Sequence, residues 1–146
     1  MSHTYSSNLV HCVFSTKDRV NSLPENIREK LYGYLYGVAR KLGTDILALG
    51  GTENHVHILL ALPANRTLSE TVRDFKANSS RWMNESGSFA WQHGFGAFSV
   101  SASHIAVVKD YIRNQAEHHK RRNFEEEYLT LLRKSGIEFD SKYVFG

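Results

Sequence analysis

In the run Asn54-His55-Val56-His57-Ile58-Leu59-Leu60-Ala61-Leu62, an extended backbone sends residues two apart to the same face. Val56, Ile58, Leu60 and Leu62 then form one wholly apolar face, while His55 and His57 begin the other before it becomes Leu59 and Ala61. A strand of this kind demands a sheet with a hydrophobic layer on one side and room for paired imidazoles on the other. Two neutral imidazoles side by side can hold a divalent cation and leave coordination positions open for substrate, as a catalytic metal site requires. Alternating histidines can equally line a polar sheet face, so a third ligand has to be found elsewhere.

The remaining elements follow from hydrophobic spacing and turn chemistry. Leu9 to Ser15 reads as a first strand. Ser22 with Glu25 offers a capping box beside Pro24, opening a helix with Ile27, Leu31, Leu35, Val38 and Leu42 inward and Gly43 as its left-handed cap. Asp45 to Leu49 and His55 to Leu62 read as antiparallel strands, with Gly50-Gly51-Thr52-Glu53-Asn54 as the hairpin turn. Thr67 and Glu70 cap a helix whose Leu68, Val72, Phe75 and Trp82 face inward and whose Arg73, Lys76, Ser80 and Asn84 take another side. Glu85 to Gly96, rich in Gly and Ser, reads as a mobile surface loop before a short strand near Ala97 to Ser101.

From Ser103 a helix is expected to run to about Lys120 on the stripe Ile105, Val108, Ile112 and Ala116. Tyr111, Gln115 and His118 form a neighbouring stripe, rotated by about 100°. A last helix begins at Asn123 with Glu126 as its reciprocal cap, carries Phe124, Tyr128, Leu131 and Leu132, and ends at Gly136. This order predicts an α+β, ferredoxin-like split βαβ antiparallel sheet with helices on both sides and extra C-terminal helices, one of which carries Tyr111. The first two helices should cover one face, leaving the other to His55, His57 and the Tyr111 helix.

At 146 residues the chain fits a single domain, 1–146. Its net charge of +3 is compatible with a polyanionic partner but decides little alone. Cys12 is the sole cysteine, which excludes an internal disulfide and a cysteine-based zinc cage and suits a reducing cytoplasm. Met1 to Ser7 lacks an apolar signal core, and no apolar run approaches the roughly 20 residues that cross a bilayer, so no membrane association is expected.

Tyr111 and Gln115 share a helix face, and their combination with the His-Val-His strand in a small basic chain resembles the single-tyrosine transposases of bacterial insertion sequences, the IS200-like transposases of the HUH endonuclease superfamily. The likeness covers most of the chain, including Leu9 to Lys17, the His55 strand, Trp91 to Ser99 and the Tyr111 helix. It implies a transposase that cuts and rejoins single-stranded DNA at hairpin-bearing element ends. Tyr111 would be the catalytic nucleophile, forming a 5′-phosphotyrosine intermediate, with His55, His57 and Gln115 as metal ligands. A carboxamide oxygen, two imidazoles and several waters suit Mg2+ or Mn2+. The resemblance also implies a homodimer in which Tyr111 and Gln115 of one subunit can meet the histidines of the other.

For DNA, Arg73, Lys76 and Arg81 with the run His118, His119, Lys120, Arg121 and Arg122 would neutralise phosphates, although His118 and His119 could also extend the metal site, while Trp82, Trp91 or Phe95 would stack on bases. A solvated surface, core aromatics and a cationic helix end are the plainer readings of the same residues. Glu53 reads as a hairpin residue before a metal-adjacent acid. Two other functions compete: a domesticated repeat-associated or replication-initiator-type HUH nickase, and a non-catalytic ferredoxin-like nucleic-acid-binding module. The strands lack an aromatic RNA-binding signature, which weighs against the second.

Overall fold

The paired-histidine strand lies inside the sheet, bonded on both edges, and its two faces are covered by different sets of helices. The computed structural model describes residues 3–145; Met1, Ser2 and Gly146, which the single-domain expectation also spans, lie outside the described residues. The elements are β1 (Leu9–Ser15), a 3-10 turn (Lys17–Arg19), α1 (Glu25–Leu42), β2 (Asp45–Thr52), β3 (His55–Ala61), α2 (Leu68–Asn84), β4 (Gly96–Val100), a second 3-10 turn (Ala102–His104), α3 (Ile105–Arg113), α4 (Gln115–His118) and α5 (Phe124–Lys134). The strand order is β2-β3-β1-β4, every neighbour antiparallel. This is the split βαβ sheet that the α+β, ferredoxin-like reading expects. In its register His57 lies between Val13 and Gly50, and His55 between Ser15 and Thr52.

Val10, Cys12 and Phe14 of β1 join Val56, Ile58 and Leu60 of β3 in the main core, against Leu31, Leu35 and Val38 of α1 and Val72 and Phe75 of α2. Each fully buried side chain of this size contributes on the order of 2 kcal/mol relative to exposure. On the opposite face Val13 packs with Phe124, Tyr128 and Leu132 of α5, while Ala48 and Leu59 pack with Ile112 of α3. The histidines sit between these two small clusters, so α3 and α5 are held apolar-side down on either flank of a polar centre.

Several local expectations are corrected. Pro24, with φ −63° and ψ 159°, is the cap of α1, and no side chain caps it; the Ser22 hydroxyl turns to the Val20 carbonyl instead. Proline pre-sets the dihedral needed at a helix entrance, so the serine is not required there. The caps at Thr67 and Asn123 form, accepting from the Glu70 and Glu126 amides at 3.2 and 2.8 Å, though the Glu70 and Glu126 carboxylates do not make the reciprocal half of the expected boxes, and Gly43 is left-handed at φ 70°.

The hairpin turn consists of Glu53 and Asn54 alone, because Gly50, Gly51 and Thr52 continue β2. Gly50 serves a close approach and not a turn: a Cβ there would collide with the backbone carbonyl of Ile112 in α3. The long third helix is interrupted at Asn114, whose φ is −99° and ψ 27°. Beyond the break the inward position passes from Ala116, which is exposed, to Gln115, which is buried. The segment after α2 is also anchored, since Phe89 and Trp91 are buried and Trp91 bridges to Thr16, stacks edge-on against Phe14 and donates to Ser79 at 2.9 Å. Among the described residues, no helix is long and apolar enough to cross a membrane.

Candidate active site

His55 and His57 are fully buried beneath α3, α4 and α5. Their Nδ1 atoms face outward to neighbours in the sheet: His55 Nδ1 lies 3.0 Å from both Thr52 Oγ1 and Asn54 Oδ1, and His57 Nδ1 lies 2.8 Å from His11 Nε2. Their Nε2 atoms face a common centre. There His55 Nε2 is 3.0 Å from Gln115 Oε1, while Glu127 Oε1 stands 3.1 Å from His57 Nε2, 3.4 Å from His55 Nε2 and 3.0 Å from His119 Nε2. The other carboxylate oxygen, Glu127 Oε2, accepts the hydrogen bond of the Tyr111 hydroxyl. One carboxylate thus ties three imidazoles to a phenol.

The electrostatics of this centre follow from its burial. Loss of water pushes His11 down to about 3 and His57 down to about 4, the latter against the opposing pull of Glu127. Burial also disfavours the Glu127 anion, yet hydrogen bonds from His119, His55 and His57 together outweigh it and hold this carboxyl well below the usual range. Burial first, then the adjacent Glu127 charge, raise the Tyr111 phenol above its ordinary value. Tyr111 is therefore held as a neutral hydroxyl that donates. Without a cation each Nε2–H donates to Glu127 or Gln115; moving that proton to Nδ1, where Thr52, Asn54 and His11 can accept it, would turn the Nε2 lone pairs inward, the orientation that outer partners impose on metal-binding histidines. Lone pairs of imidazole and carboxylate facing one another call for a cation between them, and the ligand atoms of His55, His119 and Glu127 all lie within 4.8 Å of one another. The donor set fits a divalent metal.

Tyr111, His55, His57 and Gln115, separate in sequence, meet within one chain. The ring centroids of His57 and Tyr111 are 5.7 Å apart. His119, expected on the DNA-binding run, instead packs against His55 at 4.5 Å between centroids and belongs to the centre. Sequence reasoning missed Glu127 and His11. Glu127 had a signal, since it falls on the inward stripe of Phe124, Tyr128 and Leu131 and is an acid on an apolar face. His11 alternates with Val10 and Cys12 and so shares the face of Val13, but only the β1–β3 register brings it to His57. Glu53 sits exposed in the turn, its carbonyl accepting from Leu23, and takes no part in the centre.

The remaining basic residues divide between the two sides of the sheet. His118 is exposed and lies against the Tyr111 ring at 4.8 Å, and with Glu117, Arg121 and Arg122 it lines an open depression of about 490 Å³. Lys120 is exposed and paired with Glu117 at 2.9 Å. Arg73, Lys76 and Arg81 ride on α2, across the sheet from Tyr111. Arg73 and Arg81 are exposed, but Lys76 is engaged internally: its ammonium donates to the carbonyls of Gln92, at 2.9 Å, and Gly94, over the ring of Phe14. Burial lowers it to about 8. Of the aromatics, Trp91 is core, Trp82 stacks on Tyr34, and Phe95 is partly buried near Lys76.

Residues 4–115 match the family model described as "Transposase IS200 like"; His119 and Glu127 lie beyond the matched stretch. Among solved structures, the fold is similar to that of a protein assigned as a transposase from Deinococcus radiodurans R1, at 24% identity and a TM-score of 0.63, with 79% of this chain and 96% of that one covered. It is also similar to a REP-associated tyrosine transposase bound to a REP hairpin, at 18% identity and a TM-score of 0.59, with 77% of this chain and 68% of that one covered. No curated protein matches the sequence.

Proposed function

The chain belongs to the IS200-like transposase family, and from that premise we propose that it cuts and rejoins single-stranded DNA beside hairpins, with Tyr111 as the nucleophile. The observation that carries this reading is the convergence of the Tyr111 hydroxyl, through Glu127, on the imidazoles of His55 and His57. The Tyr111 oxygen attacks phosphorus and gives its proton to solvent, while the 3′ oxygen leaves with the bonding pair and takes a proton from solvent to become a free hydroxyl. A phosphotyrosine at the 5′ end retains the bond energy for rejoining.

His55, His57 and Gln115 would hold the divalent cation, Mg2+ or Mn2+, which when bound supplies Lewis-acid activation of a non-bridging phosphate oxygen. The chain's other groups position and neutralise. Glu127 fixes the phenol's rotamer, and the cationic rim of His118, Arg121 and Arg122 beside Tyr111 offers partners for DNA phosphates. Arg122 already favours the Tyr111 anion slightly.

Residues 1–146 act as one domain, and the protein works as a homodimer in the cytoplasm. The neighbour bound to a REP hairpin supports a hairpin partner here and keeps a repeat-associated role as the second reading. A non-catalytic binding module would have no use for a buried Tyr-Glu-His centre. The test is incubation of purified protein with Mn2+ and labelled single-stranded hairpins: a denaturation-resistant adduct is expected, lost in Tyr111→Phe while hairpin binding persists.

A further inference from the structure

We propose that His119 and Glu127 are themselves metal ligands, so that the centre is built from three imidazoles, one carboxylate and the Gln115 carboxamide and selects a borderline transition ion such as Mn2+ over Mg2+. This rests on the reading of His55 and His57 as ligands and extends it to residues beyond the family match, which ends at Gln115. The argument is geometric. Donors around a cation at bond lengths of about 2.1 Å lie roughly 3.0–3.5 Å from one another, whether the shell is octahedral or tetrahedral. Glu127 Oε1 stands at 3.0, 3.1 and 3.4 Å from the Nε2 atoms of His119, His57 and His55, and Gln115 Oε1 at 3.0 Å from His55 Nε2. These separations match edges of such a shell; the ligand atoms of His55, His119 and Glu127 all lie within 4.8 Å of one another, and His57, outside that group but 3.1 Å from Glu127 Oε1, would join by a small shift of its ring.

Chemistry then sets the preference. Mg2+ favours oxygen donors and keeps its waters, whereas imidazole nitrogen suits later first-row ions. Three nitrogens, with a buried carboxylate as the sole anionic donor, move the site away from Mg2+. Glu127 has a second consequence. With Oε1 on the cation and Oε2 on the Tyr111 hydroxyl, it is a positioning residue that makes the nucleophile's placement depend on metal occupancy.

The test is titration of the full chain, without DNA, with Mn2+ and with Mg2+ by calorimetry, together with pulsed electron paramagnetic resonance of the Mn2+ form. Mn2+ should bind at least tenfold more tightly than Mg2+, His119→Ala and Glu127→Gln should each weaken Mn2+ tenfold or more, and the resonance should report three imidazole nitrogens. If both variants stay within threefold of wild type while His55→Ala loses Mn2+, the extended ligand set is wrong and the two-histidine reading survives. If His55→Ala also binds normally, that underlying reading fails. Should the variants not fold, the nitrogen count on wild-type protein decides alone: two overturns the proposal.

Discussion

Gly50→Ala should damage both the fold and the reaction. The new methyl group would overlap the Ile112 carbonyl oxygen and lie 3.1 Å from Ile112 Cγ2, and the carbonyl is backbone, so relief requires α3 to lift from β2. Forced overpacking of this kind costs about 1–3 kcal/mol, which for a domain of this size lowers the melting temperature by roughly 3–10 °C. Because α3 carries Tyr111, lifting it also draws the phenol from Glu127, and adduct formation should fall by tenfold or more even well below the transition. Gly33→Ala supplies the control. A Cβ there meets nothing within 4 Å, and removing a mid-helix glycine from α1 should stabilise by about 0.5–1 kcal/mol. Thermal denaturation by circular dichroism, paired with the hairpin adduct assay, measures both. If Gly50→Ala melted within 1 °C of wild type with full activity, Gly50 would be an ordinary strand or turn residue and the close docking of α3 would be wrong.

Acid should destabilise the protein earlier than carboxylate titration alone would. His11 and His57 are lowered in the fold to about 3 and about 4 from an ordinary 6.5, so the unfolded chain binds protons first. The stability they confer is complete above pH 6.5 and is lost as pH falls towards 4 and then 3, with a slope approaching about 1.4 kcal/mol per pH unit per histidine. Urea midpoints between pH 7 and 4.5 should show this slope, and His11→Gln should flatten it; equal slopes in both proteins would refute the assignment. Lys76→Ala should lower the melting temperature and leave the salt dependence of hairpin binding unchanged, whereas Arg122→Ala should reduce that slope by about one. Asn123→Ala, which removes the cap of α5, should cost about 1 kcal/mol and weaken Mn2+ binding through Glu127; an unchanged melting curve would deny the cap its role.

The strands and their faces were legible because Val10, Cys12 and Phe14, like Val56, Ile58 and Leu60, alternate cleanly, and the caps at Thr67 and Asn123 were legible because their chemistry is local. Gly50 misled because a glycine that permits close approach looks like one that permits a turn. The break at Asn114 left no proline or glycine behind, and it moved Gln115 rather than Ala116 to the inside. Of the centre, the strand pair and Tyr111-Gln115 carried recognisable spacing. Glu127 offered only an acid on an apolar helix face and His119 only a histidine at a helix end, and both join the centre through the packing of α4 and α5 over the paired histidines. Lys76 read as a phosphate contact since sequence shows its charge and not the carbonyls of Gln92 and Gly94 that occupy it.

The most direct measurement is peptide mapping, by mass spectrometry, of the covalent product formed with a single-stranded hairpin and Mn2+. The account predicts one modified peptide, carrying nucleotide through a 5′ phosphate on Tyr111. Attachment at any other residue, or cleavage in Tyr111→Phe at the wild-type rate, would contradict it.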